Sequence, residues 1–316
     1  MNSKNRTVFI TGAGGFIGAN LTRSLIKNDY NVYILSHTTN LSWRLKNISN
    51  LITVHIGDIT SFKSLEQALQ KTKPDYIIHL ATYGAYHYQT DLKKIIKVNI
   101  EGTKNLLEAS RNISYKCFIN TGSSSEYGRK DKPMKENDFC DPVSYYGLTK
   151  LATTHLCKVF AQINDKPIVT LRLFSAYGPF EEPTRFIPTV ARSIILKKTI
   201  NLTPENQRHD FIYTDDVSNA YLHALQKGLK IKGKTLNIGT GKEYTNDEII
   251  QKLFKVTNKK TRVKKGAYTK RTWDSSHWVA DISYAKKMLE WKPAYTIDKG
   301  LHTAYSWFEE NIKFYK

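Results

Sequence analysis

The sequence predicts an α/β fold, a doubly wound parallel sheet with a smaller region built from the C-terminal segments. Three observations carry this. Short apolar, β-branched runs recur through the first half, helix-length segments separate them, and a glycine-rich turn follows the first run. The runs are residues 7–10, 31–35, 52–56, 76–80, 116–120 and 168–173. Each is almost continuously apolar, as strands covered on both faces tend to be. Residues 16–28, 61–71 and 99–111 are long enough for crossover helices between them.

After Gly178-Pro179 the alternation loosens. Residues 181–199 read as a loop and helix, 210–228 as a strand and helix, and 235–241 as a strand and turn. No Pro/Gly/Ser linker separates the halves. The expected division is therefore a dinucleotide-binding domain over 1–172 and a substrate-binding region over 173–316, with about 210–235 returning to the first.

Composition narrows the class. The 316 residues are 40% hydrophobic and 24% charged, which is ordinary globular usage. No apolar stretch is long enough to span a bilayer. Residues 1–7 lack an apolar signal core, which predicts a cytosolic protein. Cys117, Cys140 and Cys157 share no metal-ligand spacing, so free thiols and no metal site are expected. The net charge of +20 is scattered in pairs such as Lys93-Lys94 and Lys264-Lys265, without a nucleic-acid module beside it. Neither a membrane nor a nucleic acid is an expected partner.

Gly12, Gly15 and Gly18 stand between the first strand and the first helix. The first permits the tight turn, the second lets the backbone approach a pyrophosphate, and the third seats the helix on the sheet. This is the dinucleotide-binding Rossmann signature, with Phe16 and Ile17 opening the helix beside the cofactor. An Asp or Glu about 20 residues further on would hold the ribose 2′-OH of NAD. Here the second strand runs into Ser36 and His37, with Arg44 nearby. The missing carboxylate and the adjacent cation favour NADP over NAD. Asp58 and Ile59, after the third strand, are candidate adenine contacts.

Tyr146 and Lys150 are four residues apart and so share a helix face. A nearby ammonium would lower the phenol pKa towards the working range of a general base. Ser123 follows the fifth strand, at the sheet edge where ligands bind. Its hydroxyl can hydrogen-bond the oxygen that exchanges the proton.

On these residues, and on His79-Leu80-Ala81, residues 98–103, Arg172 to Pro179, residues 210–217 and 237–241, the chain resembles the extended short-chain dehydrogenase/reductases of the nucleotide-sugar epimerase/dehydratase family. The resemblance covers nearly the whole length. It implies Tyr146 as acid/base, Ser123 as the catalytic hydroxyl, and Lys150 as the group that holds the nicotinamide ribose and tunes Tyr146. Leu80, Ala81 and Asn99 would line the cofactor channel. Tyr83, Ser124, Ser125, Ser175, Arg208, His209 and Arg271 would contact the sugar nucleotide. It further implies a homodimer through the helices of residues 99–111 and Tyr146. The dehydratase branch carries Asp-Glu directly after the catalytic hydroxyl, where this chain has Ser124-Ser125 and Glu126 one position late. The implied activity is thus redox chemistry at C4 of a nucleotide-diphosphate sugar, as a 4-epimerase or 4-ketoreductase/dehydrogenase. The alternatives are a 4,6-dehydratase, or a non-catalytic relative that binds RNA or a partner.

Overall fold

The computed structural model describes residues 6–202, 207–267 and 277–315. Six strands alternate with helices through the first half: β1 (Thr7–Thr11), β2 (Asn31–Ser36), β3 (Ile52–Ile56), β4 (Tyr76–His79), β5 (Cys117–Ser123) and β6 (Ile168–Leu173). They pair in parallel in the order β3-β2-β1-β4-β5-β6, so the strand order reverses between β1 and β4. At such a switch point the carboxyl ends splay and leave a ligand crevice. The period-two geometry of β1 explains its unbroken apolar run. Val8 and Ile10 enter one core with Leu21 and Leu25, while Phe9 enters the opposite core with Leu65 and Phe118.

The crossover helices are α1 (Phe16–Lys27), α2 (Phe62–Thr72), α3 (Leu92–Ile96), α4 (Gly102–Ser110) and α5 (Tyr145–Ile163). Ser61 caps α2 through the Ser64 N–H, and Ser144 caps α5 through the Gly147 N–H. The helix expected over 99–111 begins earlier. α3 passes through a π-helical turn, Lys97–Glu101, directly into α4. Such turns often mark functional sites, and this one holds Asn99.

Beyond β6 the chain alternates between two bodies. β7 (Ser175–Tyr177), α6 (Phe186–Ile195), β8 (Ile200–Asn201), β9 (Arg208–His209) and β10 (Phe211–Tyr213) lead away from the sheet. α7 (Thr214–Lys227) then packs on α1, and β11 (Thr235–Ile238) joins β6 in parallel as the seventh strand. β12 (Tyr244–Thr245), α8 (Asn246–Thr257) and β13 (Val263–Lys264) leave again. α9 (Ser283–Leu289) returns to β11 and α7, and α10 (Ile297–Glu310) closes against α6 and α8. Ile187, Val190, Phe211, Ile249, Leu253, Leu301 and Phe308 form the second body's core. Among the described residues no helix is long and apolar enough to cross a membrane.

Candidate active site

The glycine turn is built for close approach. Gly12 has φ +78°, and a Cβ there would sit 2.5 Å from the Ala81 nitrogen. A Cβ on Gly18 would overlap the Gly12 carbonyl, so α1 can lie this tightly on the turn only with glycine there. The N-cap of α1 is Gly15, which offers no capping side chain. The first N–H groups of α1 therefore face the cleft unsatisfied by their own helix, a cradle that fits a pyrophosphate. Gly12, Gly15, Phe16, Ile17, Gly18, Ser36, His37, Ile59, Leu80 and Ala81 all line one cleft of about 1340 Å³. The residues that the sequence assigns to a cofactor thus share one cleft.

Two cofactor expectations, Arg44 and Asn99, need correction. Arg44 does not face the cleft: its Nε donates to the Phe180 carbonyl at 2.7 Å, and its Nη2 lies 3.3 Å from Glu182 Oε2. The lean towards NADP loses its cation. Asp58 lies beside the cleft between two lining residues, Gly57 and Ile59. Its Oδ1 accepts the Thr60 N–H at 2.7 Å, and its Oδ2 is 3.9 Å from His37. Asn99 is buried, and its amide is consumed internally. Its Oδ1 accepts from the Tyr83 N–H (2.8 Å) and Thr82 Oγ1 (3.1 Å), and its Nδ2 donates to the Tyr83 carbonyl (2.9 Å) and Thr149 Oγ1 (2.8 Å). Asn99 therefore pins the 82–83 loop to α5 instead of lining the cofactor channel.

Ser123, Tyr146 and Lys150 converge in the same cleft. Ser123 ends β5, and its N–H donates to Glu126 Oε1 at 2.8 Å. Glu126 Oε2 accepts from Arg172 Nε at 2.7 Å, and both side chains of this pair are buried. Both oxygens of the carboxylate are thus committed to the sheet, one of them to fixing the backbone of Ser123. Gly147 explains how close α5 comes: a Cβ there would overlap the Ser125 carbonyl. Tyr146 faces the cleft while Tyr145 is 58% exposed on the outer surface as well as at the cleft edge.

The protonation states differ from the sequence expectation. Burial pushes Tyr146 up to about 12, and the neighbouring Ser123 hydroxyl and Arg185 charge offset this only in part. Burial also pushes the Lys150 ammonium down to about 8, against the pull of Glu126. Desolvation, more than the lysine charge, sets the acidity of the tyrosine in the free protein. Below the pair, His79 bridges Thr11 Oγ1 (2.7 Å) and Thr103 Oγ1 (2.8 Å). Burial, helped by the Lys150 charge, lowers its pKa to about 3, so it serves as a neutral structural bridge.

Ser124, Ser125, Ser175 and His209 also line the cleft. Ser124 Oγ accepts from Trp278 Nε1 at 2.8 Å, which leaves its own proton available as a donor. Burial and the Arg185 charge bring His209 down to about 4, and its Nδ1 is buried without a partner. Arg208 is not a cleft residue; it points to Glu243, 3.7 Å away. Tyr83 also lies off the cleft with Lys94 over its ring, whereas its neighbours Thr82, Tyr86 and His87 line it. Arg271 lies outside the described residues. Among the described residues no cluster of metal ligands occurs.

Sequence reasoning missed Glu181, Arg185 and Trp278, all of which line the cleft. Arg185 is the N-cap of α6, and no side chain caps that helix. Phe180, at φ +66°, turns the chain to deliver this segment. Asn20 Nδ2 holds the Pro179 carbonyl at 2.8 Å, and Arg23 stacks 4.1 Å from the centre of the Phe180 ring. The available signal was Thr184-Arg185 immediately before the apolar start of a helix with Pro188 in its first turn.

The comparisons with known proteins agree with this geometry. The model of the NAD dependent epimerase/dehydratase family matches residues 8–239. The uncharacterized UDP-glucose epimerase YtcB of Bacillus subtilis is 30% identical, over 93% of this chain and 95% of its own. UDP-glucuronate 4-epimerase of Thermodesulfobacterium geofontis is 29% identical, over 97% of each. The structure of UDP-glucuronic acid 4-epimerase from Bacillus cereus, in complex with UDP-glucuronic acid and NAD, superposes with a TM-score of 0.87. It is 28% identical, over 96% of this chain and 99% of its own. A cofactor cradle, a Ser-Tyr-Lys constellation and matches of this extent together make the chain a member of the NAD-dependent epimerase/dehydratase family.

Proposed function

We propose that this protein is an NAD-dependent 4-epimerase of a uridine-diphosphate sugar. The observation that carries the reading is the convergence of Ser123, Tyr146 and Lys150 over the glycine cradle, while Glu126 is turned into the sheet. Bound in the cradle, the nicotinamide supplies the hydride chemistry. Tyr146 exchanges the proton of the C4 hydroxyl, and Ser123 hydrogen-bonds the same oxygen through both directions of transfer. Lys150 supplies positive charge beside the pair below about pH 8. The tied Glu126 and the hydroxyls of Ser124 and Ser125 leave no acid at the positions directly after Ser123 where the dehydratase branch carries it, which disfavours 4,6-dehydration. NAD is the preferred cofactor, since Arg44 is held by Phe180 and Glu182 and the Bacillus cereus neighbour carries NAD.

Arg185 and the uncapped start of α6 offer the diphosphate a cation and a positive helix end. Phe186, Val190, Leu202 and Phe211 beyond them offer the base an apolar slot. Leu148, Val159 and Ile163 on α5 and Leu92 and Ile96 on α3 stand exposed, an apolar stripe that fits a homodimer about a two-fold axis. The three free cysteines fit a reducing compartment such as the cytosol.

The test is incubation of the purified protein with NAD and a panel of UDP-sugars, with products read by NMR. Inversion at C4 is expected. Loss of water from the sugar would favour the dehydratase alternative, and no turnover of any nucleotide sugar would refute the proposal.

A further inference from the structure

Glu181 is a carboxyl group in the cleft wall that no step above uses. It is 4% exposed, and its Oε2 is buried with no hydrogen-bond partner. Its Oε1 lies 4.0 Å from Arg185 Nε, beyond a true hydrogen bond. Arg185 itself is half exposed and lines the same cleft. Around Glu181 stand Glu182, next in the chain, Tyr177 from β7, and Tyr86 from the loop after β4. The Tyr315 hydroxyl donates to the Glu181 main-chain carbonyl at 2.7 Å. Arg44 is drawn off by Glu182, so among the described residues the cation left to answer the carboxyl is Arg185. It does not suffice: burial pushes Glu181 up to about 8, further than Arg185 and the Gly178 N–H pull it down. Near neutrality Glu181 is an uncharged acid, and the guanidinium is left for an external anion.

We infer that Glu181 makes ligand binding proton-linked: as a neutral acid it leaves Arg185 to the diphosphate of the nucleotide sugar, and as a carboxylate it competes for that cation. The inference rests on the nucleotide-sugar reading above. When Glu181 is ionised, the arriving dianion meets a buried negative charge a few ångströms from its own binding cation. The complex therefore takes one proton from the buffer onto Glu181, while Arg185 stays charged throughout. Linkage then weakens binding as pH rises through the pKa of the free carboxyl, towards about tenfold per pH unit well above it.

The experiment is titration calorimetry with UDP-glucose and with UDP, in two buffers of different ionisation enthalpy, at about pH 7 and about pH 9. Lys150 titrates in the same range, so the decisive quantity is the difference between the unmodified protein and Glu181→Gln, whose amide imitates the neutral acid. At about pH 9 proton uptake by the unmodified protein should exceed that of Glu181→Gln by roughly half a proton or more. Its affinity should also fall more steeply with pH than that of Glu181→Gln. Equal proton uptake and parallel pH profiles would overturn the inference and leave the nucleotide-sugar reading standing. Failure of both proteins to bind either probe would refute that reading, and the inference with it. Infrared difference spectra of the unmodified protein give a check that does not depend on how the substituted protein folds. Adding UDP at about pH 9 should raise a protonated-carboxyl C=O band, and its absence would count against Glu181.

Discussion

Lys150→Met should make the protein more stable and far less active. Lys150 is 4% exposed, and burial takes its pKa from 10.5 to about 8. At about 1.4 kcal/mol for each tenfold change in proton affinity, that difference amounts to roughly 3 kcal/mol. The sign is unfavourable to folding, because the folded state holds this proton less tightly than the unfolded chain does. Below pH 8 both states carry the charge and the fold bears the full penalty. Between 8 and 10.5 the folded lysine gives up its proton and the penalty shrinks; above 10.5 it is gone. Methionine fills a similar volume without the charge, so at pH 7 the variant should gain about 1–3 kcal/mol, the lower figure allowing for imperfect repacking. Urea unfolding of both proteins at one protein concentration, at pH 7 and near pH 10, measures the gap. It should be wide at pH 7 and mostly closed near pH 10, while turnover falls at least about tenfold. A variant less stable at pH 7, or a gap unchanged across that range, would refute the argument. The expected outcome would mark Lys150 as a residue retained for chemistry against the interest of the fold.

Tyr146→Phe should lower turnover at least about 10²-fold, the usual scale for a lost general acid/base, with NAD affinity nearly unchanged. The neighbouring Tyr145→Phe should be mild, and equal losses in both would undo the assignment. Titration of the unmodified protein should favour NAD over NADP, and Arg44→Ala should leave that ratio unchanged while lowering the melting temperature. A ratio that moves with Arg44 would return this residue to the cofactor. Sedimentation at micromolar concentration should give a dimer mass that Leu148→Glu reduces to a monomer; a monomeric unmodified protein would exclude the α3–α5 interface.

The sheet was legible because its inner strands β1, β4, β5 and β6 are buried on both faces and so leave short apolar runs in the sequence, while β2 and the edge strand β3, which is half-buried to exposed, still carry apolar, β-branched runs. The glycine turn at the cleft was legible because one continuous segment, 11–18, makes it, and its glycines answer to local geometry. Asn99 and Arg44 were misread for the opposite reason. The partners of Asn99 lie on the 82–83 loop and on α5, and those of Arg44 lie at Phe180 and Glu182, up to 138 positions away. Polarity and proximity to a motif told nothing about which way either side chain turns. The π-helical turn at 97–101 belongs to the same class, since the packing of Asn99 accompanies it and no propensity signals it.

Glu126 is the clearest case of position overriding residue type. As one carboxylate among three serines it resembles the acid of a dehydratase displaced by a single residue. The chain leaves β5 at Ser123 and enters a short 3-10 turn, Ser124–Glu126, so one position there changes the direction of a side chain. Ser124 and Ser125 fall on the cleft side, and Glu126 falls on the sheet side against Arg172. Once there it is held. A buried carboxylate separated from its guanidinium would leave both charges uncompensated, a cost of several kcal/mol, so thermal rotation into the cleft is not available to it. The same contact orders Ser123, because one carboxylate oxygen takes that residue's N–H. Displacement by one position therefore does two things at once: it takes the carboxylate away from the place after Ser123 where the dehydratase branch carries its acid, and it turns that carboxylate into a brace for the Ser123 backbone.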